Sequence, residues 1–566
     1  MQAVSVAHNR GGPLGLGATS VPPPPSASRA SAPRRVARIP RSSVARDVDA
    51  EPSVSGREAT SAALSSWPSA AARRAAYSGT DRAAALDVPA QVSGRLPTWL
   101  NGSYIRNGPG DLLASDHMFD GFGMLLKFDI NGAGNTVTSS HRFVDSKAWQ
   151  HYAATGKLRW REFATAPKYE SLGERLADVA NTVLGTMGLS QGVTDNASVN
   201  VVPLQDGTAV AMTETVQGTY RVDPATLGTL GQVRYQDSIA GDLTTAHPQP
   251  MPNGDLINIL SAVGVGIKVY RHPAGAFEQR QLIATVKHSR PLAPAWIHDF
   301  PATATHAVLP QMPLYFNLPN LISGGTTEHI FMDWIPSDGT TLHAVDLRSG
   351  ATKRFRAPAF FVFHWANAFH SEGGRFLHLD ACLYDDPAIC NDLYLAPLRA
   401  DYSPGAVPGR AWLRRITLDL DAPDGSDVVS IEPLVADEAT ACPPFDFPKV
   451  SPLLRGQPHR YVWGACSVRP TNAHNAVAKF DTQQGTVQMW HEPGTLVGEP
   501  AFVPAPDATA EDDGVVLTVL VQADGSAAMV VLDGQTLTEV ARAQLPGWQL
   551  TIGFHGCFIP HARRWH

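Results

Sequence analysis

Residues 514–534 read GVVLTVLVQADGSAAMVVLDG. Two apolar, β-branched-rich runs, residues 514–522 and 527–532, are separated by the turn pair Asp524-Gly525 and bounded by Asp513-Gly514 and Asp533-Gly534. Short runs of this composition punctuated by Asp-Gly are the signature of β-hairpins, because Gly supplies the positive φ that a tight hairpin turn needs. The same pattern recurs outward from this stretch. TAVAMTE (208–214), LINILSAVGVGIKVY (256–270), RFLHL (375–379) and RYVWG (460–464) are further runs of this kind, and Asn253-Gly254, Asp338-Gly339 and Asp424-Gly425 are further turn pairs. With 48 Gly and 45 Pro, an all-β chain of many hairpins is expected. At this length the expected form is a propeller, whose radial repetition protects sheet edges. Helical signals are few: an Ala-rich stretch at 60–77, interrupted at Pro68, and SLGERLADVANTVLGTMG at 171–188.

The length of 566 residues allows about four domains by size alone, or one large β unit. Residues 1–46 hold seven arginines, no lysine and no acidic residue. Removing those seven from 45 basic residues leaves 38 against 52 acidic ones, a charge of −14 on the remainder. So acidic a body is a poor partner for nucleic acid. Residues 1–46 have the composition of an organellar transit peptide, with chloroplast favoured over mitochondrion; the plain alternative is a disordered tail with no address. Residues 47–90 are expected to be a helical N-terminal arm, and 91–566 the propeller. No run is long enough for a membrane-spanning helix. The five cysteines, never spaced C-x-x-C, argue against a disulfide framework or a thiolate zinc site. A metal, if present, is held by histidine and carboxylate.

Four of the 20 histidines stand in apolar or tightly turned contexts: His247 (TTAHP), His298 (WIHDF), His364 (FVFHWANA) and His555 (GFHG). Their intervals are 51, 66 and 191 residues, and 191 is close to three times 64. Such a recurrence suits one histidine on the innermost strand of successive blades, though the fit is loose. These motifs, with PTWLNGSYIRNGP (97–109), HMFDG (117–121), GEPAFVP (498–504) and EDDG (511–514), make the chain resemble the carotenoid cleavage dioxygenases from about residue 90 to the C-terminus.

The resemblance implies a seven-bladed β-propeller with a helical and loop cap. It also implies an axial Fe(II), Fe(2+), bound by His247, His298, His364 and His555. Neutral imidazole suits this ion, and four leave up to two positions for O2 and water. The family sets three acidic residues behind the histidines, matched here by Glu214, Asp446 and Glu499. At the middle one the family has Glu before Phe-Pro, whereas this chain has Asp446; one methylene fewer implies a lengthened or water-bridged contact with His364. A second departure places His370 where the family has Glu; we do not take it as a ligand. Arg106, Asn107, Asp120 and Asp513 are read as turn and blade-closing residues.

The implied reaction is cleavage of a conjugated C=C bond of a carotenoid or apocarotenoid by O2 into two carbonyl products. Consistent with it, no G-x-G-x-x-G run follows a strand, and no H-E-x-x-H, G-x-S-x-G or phosphate loop occurs. APAWIH (293–298), QMPL (311–314) and VDPATL (222–227) resemble the carlactone-synthase branch of strigolactone synthesis, which acts on a 9-cis apocarotenal. The apolar run from Met312 to Ile322 (MPLYFNLPNLI) is read either as a buried loop or as a monotopic patch drawing lipid-soluble substrate from a membrane. An isomerohydrolase using iron as a Lewis acid, and an inactive propeller that only binds, remain alternatives.

Overall fold

The structure, a computed structural model, describes residues 66–561 apart from 187–192, 242, 324–327, 402–409, 436–443, 469–470 and 472. The expected targeting segment, 1–46, lies outside the described residues. Among these residues the strands form seven sheets of four to six strands and one two-stranded ribbon. The chain is a seven-bladed β-propeller.

The stretch at 514–534 shows how the blades hold together. Gly514–Val521 and Ala527–Asp533 pair in antiparallel register, Val515 opposite Asp533 and Val521 opposite Ala527. Gly525, at φ +87, closes the turn by donating its N–H to Gln522 O at 2.8 Å. Side chains alternate between faces, yet both faces are buried. Val515, Leu517, Ala527, Met529 and Val531 pack with Tyr104, Phe128 and Val137 of one neighbouring blade. Val516, Leu520, Ala528, Val530 and Leu532 pack with Trp463, Ala465 and Val477 of the other. A blade sandwiched between two others therefore reads as a continuous apolar run.

The ring is closed by both ends of the described chain. Gly556–Pro560 pairs with Asn101–Asp111 in one blade, and Gln91–Gly94 pairs with Glu539–Leu545 in the next.

The helical expectations hold in part. Leu172–Thr186 is a helix. Ala70–Ala76 is a helix that starts after Pro68, its Ala72 N–H capped by the Ser69 hydroxyl at 2.9 Å. Residues 47–65 of the expected arm lie outside the described residues. Ala85–Pro89, however, is not helical but a strand on the edge of a blade, paired with Thr136–Phe143. ALDVP carries no alternation that marks a strand; the pairing edge comes from 50 residues downstream.

Of the two readings of the run from Met312 to Ile322, its first half follows the buried one. Met312, Leu314, Tyr315 and Phe316 are buried, and Leu314–Phe316 forms the two-stranded ribbon with Met332–Trp334. Leu318–Ser323 is a short helix beside it. The apolarity of Leu314 and Phe316 serves the interior under the cap. No helix among the described residues is long and apolar enough to cross a membrane.

Candidate metal centre and its cavity

Each of the seven blades contributes one polar residue to a ring at the centre. Going round, these are Glu214, His247, His298, His364, Asp446, Glu499 and His555. Most stand where regular pairing breaks, which lets a side chain leave the ladder. His247 falls between Leu243–Thr244 and Gln249–Pro250, two segments that share one partner strand. Glu499 falls in the matching gap between Leu496–Val497 and Ala501–Pro504. His364 lies in a register shift between Val362 and Trp365, and His555 immediately precedes the strand Gly556–Pro560. His298 lies in the segment leading into His306–Gln311.

The four imidazoles converge. One nitrogen from each lies within 4.8 Å of the others, and Nε2 of His298 is 3.2 Å from Nε2 of both His247 and His364. Nε2 of His364 is in turn 3.2 Å from that of His555. Adjacent ligands round one ion with metal–nitrogen bonds of about 2.1 Å would stand at nearly this separation. His370 is elsewhere, half-buried with its Nε2 between Thr303 and Thr305.

Three imidazoles are held from behind. Nδ1 of His298 donates to Glu214, which also takes Trp296 Nε1–H at 2.7 Å. Nδ1 of His364 donates to Asp446 at 2.8 Å, and Tyr384 O–H donates to the other oxygen of Asp446 at 2.7 Å. Nδ1 of His555 donates to Glu499 at 2.8 Å. A carboxylate only accepts, so each of these rings carries its proton on Nδ1 and presents the Nε2 lone pair inward.

The Asp446 contact is direct, which corrects the expectation of a lengthened or water-bridged one. The reason is in the backbone. The pairing of Phe445–Lys449 shifts register between Asp446 and Lys449, and Phe447 adopts φ +54, a conformation costly for a bulky residue. This bulge carries the shorter carboxylate to its histidine and lays the Phe447 ring on His364, centroids 5.0 Å apart.

Electrostatics disfavour protonation of two of the four imidazoles, His247 and His555. Burial, then the neighbouring imidazoles, hold His247 well below the ordinary range, and burial brings His555 down to about 3. Burial opposes ionisation of Glu499, but Lys449, His555 and Arg106 outweigh it and hold its pKa below the usual carboxylate range. Asp446 is likewise buried and kept low by His364 and Tyr384. His298 is shifted the other way: burial pulls it down, and Glu214 more than restores it. Neutral imidazoles with oriented lone pairs, and no thiolate among them, suit a borderline divalent ion such as Fe(II).

Several positioning residues were not singled out from the sequence. Asp299 accepts the Trp365 N–H at 3.1 Å, the donor released by the irregularity at His364, and the Gln249 side chain at 3.1 Å. It thereby ties three blades together around the histidines. Lys449 stands 2.8 Å from Glu499. Their only sequence signal was adjacency, Asp299 following His298 and Lys449 closing the Phe445–Pro448 motif. Of the residues read as structural, Asn107 exchanges backbone hydrogen bonds with Phe554 and His555, both 2.8 Å, and Arg106 donates to the Glu499 carbonyl. Asp120 holds Ala164 and Thr165, and the Asp513 carboxylate accepts from the Thr509 N–H.

A cavity opens from the histidines under the cap, walled largely by aromatic and aliphatic side chains such as Phe119, Phe163, Trp296, Phe363, Phe447 and Phe554. It reaches Phe316, Leu318 and Leu321 near the ribbon. Such a space fits a long apolar ligand and has few groups that would hold water.

The chain matches the family described as retinal pigment epithelial membrane protein over residues 79–560. It is 35% identical over 551 residues to carotenoid cleavage dioxygenase 8 homolog A, chloroplastic, of Oryza sativa subsp. japonica, covering 95% of this chain and 94% of that protein. Against carotenoid cleavage dioxygenase 8, chloroplastic, of Arabidopsis thaliana it is 33% identical, covering 83% of each. The cobalt-substituted Synechocystis apocarotenoid oxygenase superposes with a TM-score of 0.72 at 25% identity, over 88% of this chain and 99% of that one. The protein belongs to the carotenoid oxygenase family and is an oxygenase enzyme.

Proposed function

We propose that this protein is a non-haem Fe(II) dioxygenase that cleaves one conjugated C=C bond of an apocarotenoid with O2, giving two carbonyl products, as a carlactone synthase does. The observation that carries this reading is the ring of four histidines and three carboxylates at the end of an aromatic cavity. His247, His298, His364 and His555 would hold the iron, and Glu214, Asp446 and Glu499 would orient and charge-balance three of them. The ion, when bound, supplies the site at which O2 is activated. The chain's own residues do the rest. Phe119 lies parallel to the His298 ring, centroids 6.5 Å apart, and Phe363 stands edge-on at 5.5 Å. Rings so placed hold a flat polyene beside the centre in one orientation and exclude water from it. The rice and Arabidopsis relatives, named for carotenoid cleavage and as chloroplastic, support both the substrate class and a plastid location. The composition of residues 1–46 supports the same location. Leu172 and Leu176, exposed on one face of their helix, give peripheral membrane contact a surface.

The test is incubation of iron-loaded protein with a panel of carotenoids and apocarotenals, with products read by mass and O2 uptake by electrode. One O2 consumed per bond cleaved is expected. Isomerised or hydrated product without O2 uptake would establish the isomerohydrolase alternative, and no product from any polyene the inactive binding propeller.

A further inference from the structure

Arg161 brings a cation to the wall of this largely apolar cavity. Its guanidinium makes no hydrogen bond among the described residues, and its Nε is buried without a partner. Among the described residues no carboxylate forms an ion pair with it, although the charges of Asp120 and Asp178 act on it from nearby. Glu162 turns away, with its two oxygens taken by Thr194 Oγ1 at 2.8 Å and Asn196 Nδ2 at 3.3 Å. Arg161 itself is half-buried, and the segment that carries it is held in place. Asp120 fixes it by accepting from the Ala164 N–H at 2.9 Å and from the Thr165 hydroxyl, and Glu162 N–H donates to Thr165 O at 3.0 Å. The guanidinium rests over the Phe331 ring, 5.7 Å from its centroid.

From that point an unbroken line of rings leads to the histidines. Phe331 meets Phe163 at 5.4 Å, Phe163 meets Trp296 at 5.1 Å, and Trp296 meets His298 at 5.8 Å. A flat chain lying along this line with one double bond at the centre would bring one end towards Arg161. An unpaired guanidinium in such surroundings is costly unless something accepts from it, and an all-hydrocarbon end offers nothing.

We propose that Arg161 is a substrate-positioning residue that binds a terminal carbonyl oxygen, so that the cavity selects polyenes ending in an aldehyde over those ending in hydrocarbon. This rests on the polyene-cleaving reading above and adds to it the group that sets how far the chain enters. A donor fixed at one end of a slot places one double bond, rather than its neighbours, at the centre.

The experiment is equilibrium binding to the iron-loaded protein without O2, read by quenching of tryptophan fluorescence. The two probes are a long apocarotenal and the same polyene ending in a methyl group. Wild type should prefer the aldehyde. Arg161→Met should weaken the aldehyde by about ten- to a hundredfold, the worth of a hydrogen bond to a charged group, and leave the hydrocarbon within about twofold. Arg161→Lys should recover part of the loss, which a merely structural role would not produce. Equal weakening of both probes, or none, would overturn the assignment of Arg161. Wild type that binds neither polyene would overturn this and the reading beneath it together. A preserved aldehyde preference in a protein that consumes no O2 in air would uphold Arg161 while refuting the oxygenase chemistry.

Discussion

The ammonium of Lys449 lies 2.8 Å from Glu499, the carboxylate that holds His555. Among the described residues, neither Glu214 nor Asp446 has a lysine or arginine ion partner. The three acids are therefore unequal: Glu499 is the compensated one, with Arg106 also 3.7 Å away. Lys449→Met would leave Glu499 less compensated and remove a positive charge that repels a cation at the histidines. Metal affinity should rise several-fold, measured by competition with a chelator. A fall in affinity would count against the charge argument.

Single replacement of His298 or His555 by Ala should remove most of the bound iron, read by metal analysis, with the far-ultraviolet circular dichroism of the folded propeller retained. Full iron retention in either would refute the ligand assignment. Asp446→Asn should act less severely, by about 10- to 100-fold in metal affinity, because the amide keeps the shape of the contact with His364 but not its charge.

Glu162 is buried, and burial together with Asp120 raises its pKa to about 8. Asp120 beside it is raised by burial to about 6. An acid whose folded value exceeds its unfolded one keeps its proton in the folded state where the unfolded chain has lost it. Stability therefore falls as pH rises, for Glu162 from about 4.5 to about 8, and is flat beyond. Glu162→Gln should abolish its share of that slope. The variant should equal wild type near pH 4.5 and exceed it at pH 8 by on the order of 1 to 4 kcal/mol in denaturant titrations. An unchanged slope would contradict the assignment.

Leu314→Ser should act on stability and not on membrane contact, since Leu314 is fully buried. A hydroxyl placed in that core should cost about 2 to 5 kcal/mol. Co-sedimentation of the still-folded variant with lipid vesicles should match wild type. Selective release from vesicles without loss of stability would restore the membrane role for this ribbon.

Local pattern was enough for the all-β class, because a hairpin such as 514–534 encodes its own strands and turn within 21 residues. It was enough also for the helix at Leu172–Thr186, and the motif contexts picked out the four histidines from 20. What local pattern could not supply was anything set by partners far along the chain. Ala85–Pro89 is a strand only because Thr136–Phe143 offers an edge. Met312, Leu314 and Phe316 are equally apolar whether they face lipid or a core, and only packing under the cap chose the core. Asp446 reads as too short until the bulge and the positive φ of Phe447 bring it to 2.8 Å from His364. Arg161 carries no motif at all; its meaning comes from a guanidinium with no hydrogen-bond partner among the described residues and the rings that lead from it to His298. Residue types and short-range periodicity thus determined what this chain is built from, and the motifs shared with a family singled out the four imidazoles that converge. The tertiary structure decided how seven blades each deliver one ring member to a common centre, because convergence of groups up to 341 residues apart, Glu214 to His555, is a property of ring closure and of no segment alone.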